Sequence, residues 1–309
     1  MDLSSINPVL LVAALMVAST PILLAAIGEL VVEKSGVLNL GVEGMMIVGA
    51  IAGFIAAVET GSPALGFLFA AVGGAMLSLV FAVVTLFFLA NQVATGLALT
   101  LFGLGLSSLM GQGYQGIRPP LTSKLDLGPL SDIPVLGTIL FSQDAIVYLS
   151  LATVAAVWAF LKYTRAGLVL RSCGENAEAA HALGYKVKLI RMAAIAFGGA
   201  CAGVGGAYIS MVRVPQWVDG MTAGAGWIAL AIVVFGAWRA GRVMFGAYLF
   251  GGVTVLQLNL QAAGIKIPVE YLSMSPYLIT ILVLVLISAG RARALGAPAA
   301  LGQIFHASR

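Results

Sequence analysis

Glu29 and Glu43 stand inside stretches that are otherwise apolar. A carboxylate at the centre of a bilayer costs about 2.5–3.5 kcal/mol on insertion scales, so one kept there marks a transport route or an internal polar clamp. Glu43 belongs to residues 36–44, GVLNLGVEG. There Gly36, Gly41 and Gly44 weaken regular helix, and Asn39 and Glu43, spaced i,i+4, share one face. A glycine-broken segment can turn carbonyls and amides toward a cavity where lipid would forbid them, and transport sites near a membrane midplane are built from such interrupted helices. Two readings stay open: Asn39 and Glu43 line a solute path, or they bond neighbouring helices together. Gln257 and Gln261, with Asn259 between them, are also i,i+4 and suit a polar cavity wall. Asn91, Gln92 and Thr95 precede an apolar stretch, where interfacial solvation explains them as well as pore lining does. Glu29 is expected to reach the interface or pair with Lys34.

The second region with chemistry is Lys162–Arg191, a polar island that holds six of the chain's 16 Lys and Arg residues: Lys162, Arg165, Arg171, Lys186, Lys188 and Arg191. Within it Glu175–Leu183 reads as a short helix. Ser172 or Gly174 would cap its start, with Glu175 and Glu178 in a first turn favoured by the helix dipole. Gly184 would take the left-handed position that ends it. Ala177, Ala179, Ala180 and Ala182 give high helix propensity and little bulk. At 1.5 Å per residue such a helix reaches only ~14 Å, too short to span. Its thin surface suits a partner's groove; resting on the membrane would bury little apolar area.

The elements that must position these groups follow from composition. The chain has 309 residues, 61% hydrophobic and 9% charged, with a mean hydropathy of +1.05. Soluble domains average roughly 25% charged residues, so an all-α, polytopic transmembrane bundle is predicted, forming a single transmembrane domain over 1–309. Spanning helices need ~20 apolar residues; candidates are 8–32, 37–58, 64–90, 93–111, 144–161, 190–212, 224–238, 243–262 and 276–290, about eight to ten segments with one broken or re-entrant. The third is long enough to tilt or break near Gly73-Gly74, and the seventh should extend at its ends to cross. The long loop at 112–143 is Pro-rich, with Pro119, Pro120, Pro129 and Pro134, and carries Asp126, Asp132 and Asp144 at its edge. Placing the island inside puts twelve Lys and Arg inside (Lys34, the island's six, Arg239, Arg242, Arg291, Arg293, Arg309) against four outside (Arg118, Lys124, Arg213, Lys266), which is the cytoplasmic bias of basic loops. The C-terminus is then cytoplasmic and, with nine crossings, the N-terminus outside.

The net charge of +4 does not suggest nucleic acid. Cys173 and Cys201 form no disulfide or metal pattern, and the N-terminus lacks the features of a cleaved signal peptide. His181 and His306 read as solvated surface residues. No Ser/His/Asp, Cys/His or metal-ligand grouping and no phosphate-binding loop is present, so the chain is not expected to be an enzyme.

Thr164-Arg165-x-Gly167, followed by Gly174-Glu175-Asn176-x-x-Ala179-Ala180-x-x-x-Gly184, resembles the coupling loop of ABC-importer permeases of the ribose and branched-chain amino acid type. GVLNLGVEGMM at 36–46 resembles their early motif, closest to the nucleoside and simple-sugar branch; ribose-type members tend to carry an acid where Asn39 stands and no Glu at position 43. Val234-Phe235-Gly236, then Arg242-Val243-x-x-Gly246-Ala247-x-x-Phe250-Gly251-Gly252, resembles the later helices. The resemblance implies a permease subunit of an ATP-driven importer for a small polar solute, nucleosides first, with simple sugars or branched-chain amino acids as alternatives. An ion-coupled transporter acting alone through Glu43 is the reading from another class. The resemblance further implies a prokaryotic plasma membrane (the inner one in Gram-negative cells), a second permease subunit in a heterodimer, and an extracytoplasmic solute-binding protein that docks on 112–143 and on the turn with Arg213, Trp217 and Asp219. It implies ATP-binding cassette subunits that hold ATP and Mg, leaving no cofactor in this chain, and that meet Arg165, Gly167, Gly174, Glu175, Asn176, Ala179, Ala180 and Gly184.

Overall fold

A computed structural model describes residues 8–125, 128, 131, 133–262, 268–289 and 296–306. Asp126, Pro129, Asp132, Lys266, Arg291, Arg293 and Arg309 lie outside the described residues. The elements are α1 (Pro8–Lys34), α2 (Val42–Thr60), α3 (Pro63–Ala82), α4 (Gln92–Gly111), α5 (Ala145–Tyr163), α6 (Arg165–Glu175), α7 (Ala177–Ala182), α8 (Val187–Tyr208), α9 (Ala225–Phe235), α10 (Ala240–Ala262) and α11 (Val269–Ala289). Among the described residues there is no strand, only isolated bridges pairing Gln115 with Trp217 and Lys124 with Asp144. The fold is a polytopic helical bundle. Seven helices among the described residues are long and apolar enough to cross a membrane: 8–34, 42–60, 63–87, 92–114, 145–163, 187–213 and 240–262.

Capping residues start several of these helices. Ser62 precedes Pro63 at the first turn of α3, and the Asn91 side chain accepts the Ala94 N–H at 3.0 Å to open α4. Asp144 Oδ1 accepts the N–H groups of Ile146 and Val147 to open α5 and, at Oδ2, the Tyr208 hydroxyl. Asp144 is therefore a buried cap rather than a loop charge.

Apolar burial does not drive helices together in lipid; close van der Waals packing does, through small residues. The centre of the bundle is α8, enclosed by α1, α2 and α3. A side chain at Gly203 would fall on the Ala70 carbonyl, one at Gly206 on the Met46 carbonyl, and one at Gly28 within 2.7 Å of Cys201. Gly74 serves the same contact, against Gly199 and Gly203, so α3 does not break at Gly73-Gly74. Its irregular turn comes later, at Val83–Phe87.

Two segments depart from the predicted crossings. The second does not begin at 37: residues 35–41 form no regular structure, are largely buried, and lead to an α2 that starts at Val42. The seventh does not extend. With 11 residues α9 reaches only ~16 Å. It is stopped in front by Ala223 (φ 46°) and Gly224 (φ 84°), and behind by Ala237 (φ 48°) and Trp238 (φ 54°), left-handed backbone that a continuing helix cannot contain.

Candidate functional site

The break at 35–41 and the half-helix α9 meet. Gly226 packs against Val42 and Glu43, and Gly44 against Leu99 and Thr100, with Gly103 on Gly44. Gly103 stands midway along the 92–114 span, so this contact is far from either end of the bundle. From here α2 runs toward Thr60 and α9 runs the opposite way, to where the Trp238 indole donates to Glu33 Oε2. Two helix N-termini thus face one point in the interior, and Glu43 occupies it. It lies in the first turn of α2. Its Oε1 accepts the Thr222 hydroxyl at 2.5 Å and the Gly224 N–H at 2.9 Å, and its Oε2 accepts the Gly226 N–H at 2.7 Å. The amide donors that a helix start leaves without partners, together with the positive ends of two helix dipoles, are what make a buried carboxylate tolerable there.

Asn39 shares the neighbourhood without bonding Glu43. Its Oδ1 accepts the Gly41 N–H at 3.0 Å, while its Nδ2 points at Glu29 Oε2 and Met45 Sδ, both at 3.4 Å. Glu29 is 1% exposed, so it neither reaches an interface nor pairs with Lys34, whose ammonium instead donates to the Gly296 carbonyl at 2.8 Å. The 35–41 backbone is bonded by side chains from afar. Gln92 Oε1 accepts the Leu38 N–H at 2.8 Å, and Thr100 Oγ1 donates to the Leu40 carbonyl at 3.2 Å. Gln92 is therefore a buried latch rather than an interfacial residue, while Asn91 beside it serves as a cap.

Gln257 and Gln261 are not part of this junction. Gly251 packs on Ser19 and Gly252 on Leu15, while Trp238 meets Glu33, so α10 runs antiparallel to α1 and carries both glutamines toward the start of α1, away from Glu43. They are half-buried, and Gln261 Nε2 is enclosed without a hydrogen-bond partner.

At the other end of α1 the basic island folds as two helices, not one. Thr164 accepts the Gly167 N–H at 2.9 Å and opens α6, where Gly167 sits so close to the Phe160 carbonyl that a side chain would collide with it. Gly174 closes on the Lys34 carbonyl in the same way. The cap of α7 is Asn176, whose Oδ1 accepts the Ala179 N–H at 2.9 Å, and not Ser172 or Gly174. Glu175 therefore ends α6 instead of starting α7. Gly184 does terminate α7 in the left-handed conformation, at φ 89°. Ala177 and Ala180 face inward against Cys173, Val187 and Phe305, leaving Arg165, Glu175, Glu178, Ala179 and Leu183 exposed. His181 is also exposed, edge-on to Phe305 at 5.6 Å. Burial pushes the Cys173 thiol above its ordinary range.

Arg191, which reads in the sequence as an island charge, is 1% exposed. Its Nε donates to the Ser35 carbonyl at 3.0 Å, Nη2 to Cys173 at 3.2 Å and Nη1 to Gln303 at 3.4 Å. A planar guanidinium with donors in a fixed fork can hold three segments at once. Neither this role nor that of Glu33 is visible in the sequence; a spacing of i,i+4 from Glu29 is the only hint of the latter. At the far end Trp217 is turned into the bundle, 2% exposed and packed near Phe54 at 6.4 Å, so it offers no docking surface, whereas Asp219 is exposed.

Residues 11–286 match a family described as the permease component of the branched-chain amino acid transport system. The protein named "Putative glucose ABC transporter permease protein TsgC13" of Haloferax volcanii is 40% identical over 289 residues, covering 86% of this chain and 88% of the relative. The nucleoside ABC transporter permease NupC of Lactococcus lactis is 35% identical, with 90% and 92% covered, and the guanosine ABC transporter permease NupQ of Bacillus subtilis 33%, with 89% and 91% covered. A multi-pass bundle matched over nearly its whole length, with its apolar helices and its capped surface loop, belongs to this family of membrane transport permeases and is not itself an enzyme.

Proposed function

We propose that the chain is the membrane-spanning subunit of an ATP-driven importer whose solute is a neutral, hydroxylated molecule, a nucleoside in the first instance. The observation that carries this reading is the junction at Glu43. Helix N-termini at a membrane midplane are ready-made anion sites; here the chain's own carboxylate fills the position, which disfavours solutes bearing phosphate or carboxylate. NupC and NupQ support the nucleoside class. TsgC13, the relative at 40% identity, favours simple sugars as the second reading.

In this reading Asn39 and Glu43 act on the path by fixing where α2 and α9 begin. Gln257 and Gln261 supply amides to the solute, and the buried, unpartnered Nε2 of Gln261 supports that. The exposed side of α7, with Arg165, Glu175 and Ala179, meets an ATP-binding subunit. A second, different permease completes the path, and a solute-binding protein delivers from the face carrying Asp219. The basic end, with the C-terminus, lies in the cytoplasm of a prokaryotic cell.

Reconstitution in proteoliposomes with the ATP-binding subunits, the second permease and the binding protein tests the reading. ATP-dependent uptake of labelled guanosine or uridine, exceeding that of glucose and leucine, is the expected outcome. Preference for glucose moves the solute to the sugar class. Gradient-driven uptake by this chain alone, without ATPase subunits, overturns the importer assignment.

A further inference from the structure

Residues 296–306 lie back against the basic end of the bundle. The Lys34 ammonium holds the Gly296 carbonyl, Glu175 Oε2 accepts the Ala299 N–H at 3.3 Å, the Ala300 N–H donates to the Gly174 carbonyl at 2.9 Å, and the Gly302 N–H donates to the Gly36 carbonyl at 3.1 Å. Phe305 is buried among Cys173, Ala177, Ala180 and Val187, which places it directly under α7. Arg191 sits at the centre, bonded to 35, 173 and 303 together. Three regions far apart in sequence are therefore joined by main-chain hydrogen bonds and one guanidinium: the coupling loop, the 35–41 break and the C-terminal segment.

A six-residue Ala-rich helix offers little area, whereas a specific interface buries on the order of 800 Å² per partner. Whatever covers α7 must also cover its surroundings. Beside it runs a cleft of about 360 Å³, with Glu175 and Glu178 on one wall and Ala299, Gln303 and Ile304 on the other. Ile304 is 41% exposed at its rim. We propose that residues 296–306 form the second half of the docking surface for the ATP-binding subunit, and that the Arg191 clasp makes this segment, α6, α7 and residues 35–41 one body. Displacement of α7 then reaches the residues that lead into Asn39 and Glu43 through these hydrogen bonds and the start of α8, which carries Arg191, without passing along the length of the long helices. This rests on the reading that α7 meets the ATP-binding subunit, and the experiment separates the two.

Four variants of this chain are compared in the reconstituted complex, reading retention of the ATP-binding subunit, ATP hydrolysis and solute taken up per ATP. Ala179→Trp tests α7 alone. Ile304→Asp alters only an exposed side chain and is expected to weaken retention about tenfold, as loss of an apolar anchor at an interface does. Arg191→Gln is expected to retain the subunit while uptake per ATP falls about tenfold, a coupling loss of ordinary size. The pair Leu38→Cys with Gly302→Cys tests rigidity. A Cβ at Gly302 would lie 3.8 Å from that of Leu38, within disulfide range, although φ 74° at 302 strains any side chain there. Because the two segments move together, oxidation of this pair leaves uptake per ATP equal to that of the reduced protein.

Inhibition on oxidation that reductant reverses overturns the single body. Normal retention in Ile304→Asp overturns the second docking half, and normal uptake per ATP in assembled Arg191→Gln overturns the clasp. If Ala179→Trp couples normally, the α7 docking reading fails; if it uncouples while Ile304→Asp and Arg191→Gln behave as wild type, only the present inference fails. Should Arg191→Gln not assemble, the disulfide pair and Ile304→Asp decide, since neither touches the guanidinium.

Discussion

Glu43 and Arg191 are opposite charges buried in the same bundle, and in each case the three hydrogen-bond partners carry no charge. The carboxylate takes a hydroxyl and two amides from Thr222, Gly224 and Gly226, all on one short stretch. The guanidinium gives to three carbonyls, of Ser35, Cys173 and Gln303, on three separate segments. Both groups serve backbone that regular structure has left without partners, the start of α9 in one case, the last turn of α6 and irregular chain in the other. The difference lies in reach. Glu43 fixes one local geometry at mid-membrane, while Arg191 binds the surface loop to the core. A buried charge in a membrane protein therefore does not by itself indicate a solute or proton site; its partners decide.

The comparison breaks most sharply if Glu43 is replaced. Glu43→Leu strands the Thr222 hydroxyl and two amides, with a destabilisation of about 4 kcal/mol expected from unmet buried donors and seen as a lower melting temperature in detergent. A melting temperature equal to wild type would show that α9 does not depend on it. Arg191→Met strands three carbonyls, which tolerate a missing partner better than amides do, and about 3 kcal/mol is expected from the same measurement. Gly203→Ala forces a methyl group onto the Ala70 carbonyl and should cost about 2 kcal/mol through overpacking, a loss that neither charge can offset. Asn176→Ala removes a single cap, about 1 kcal/mol; because the loss is local to α7, solute uptake should fall while the melting temperature hardly moves. The mildest test uses Cys173 as a reporter in a Cys201→Ser background. The thiolate is the reactive form, and burial holds the thiol above its ordinary range, so maleimide labelling should be slow near neutral pH and rise only in strongly alkaline buffer. The nearby Arg191 guanidinium draws the thiol partly back down, so Arg191→Gln should push the labelling to still higher pH, whereas Glu43→Gln should leave it unchanged.

The long helices were legible because a run of ~20 apolar residues has few alternatives in lipid. The interruption at 35–41 was legible through Gly36 and Gly41, whereas Gly44 lies inside α2. The end of α9 was not. The residues that stop it, Ala223, Ala237 and Trp238, are left-handed without being glycine, a conformation imposed by tertiary packing that leaves no mark on composition. The pairing of Glu43 with Gly224 and Gly226 joins residues some 180 apart, and only the folded chain reveals it. In the basic island the Ala-rich run located the element but not its cap, because Ser172, Gly174 and Asn176 are all acceptable cap types and only the bond to Ala179 distinguishes them.

The irregular stretch 35–41 also sets an order of assembly. Its carbonyls at Ser35, Gly36 and Leu40 are met by Arg191, Gly302 and Thr100, all made later by the ribosome. Until then the stretch cannot settle at membrane depth, where unmet carbonyls are costly. This stretch leaves the ribosome before all three of its partners and is therefore among the last to close, so lesions damaging to it lie far downstream, at 191 and 302. A chain arrested before residue 300 should insert its helices and still leave this loop accessible from water.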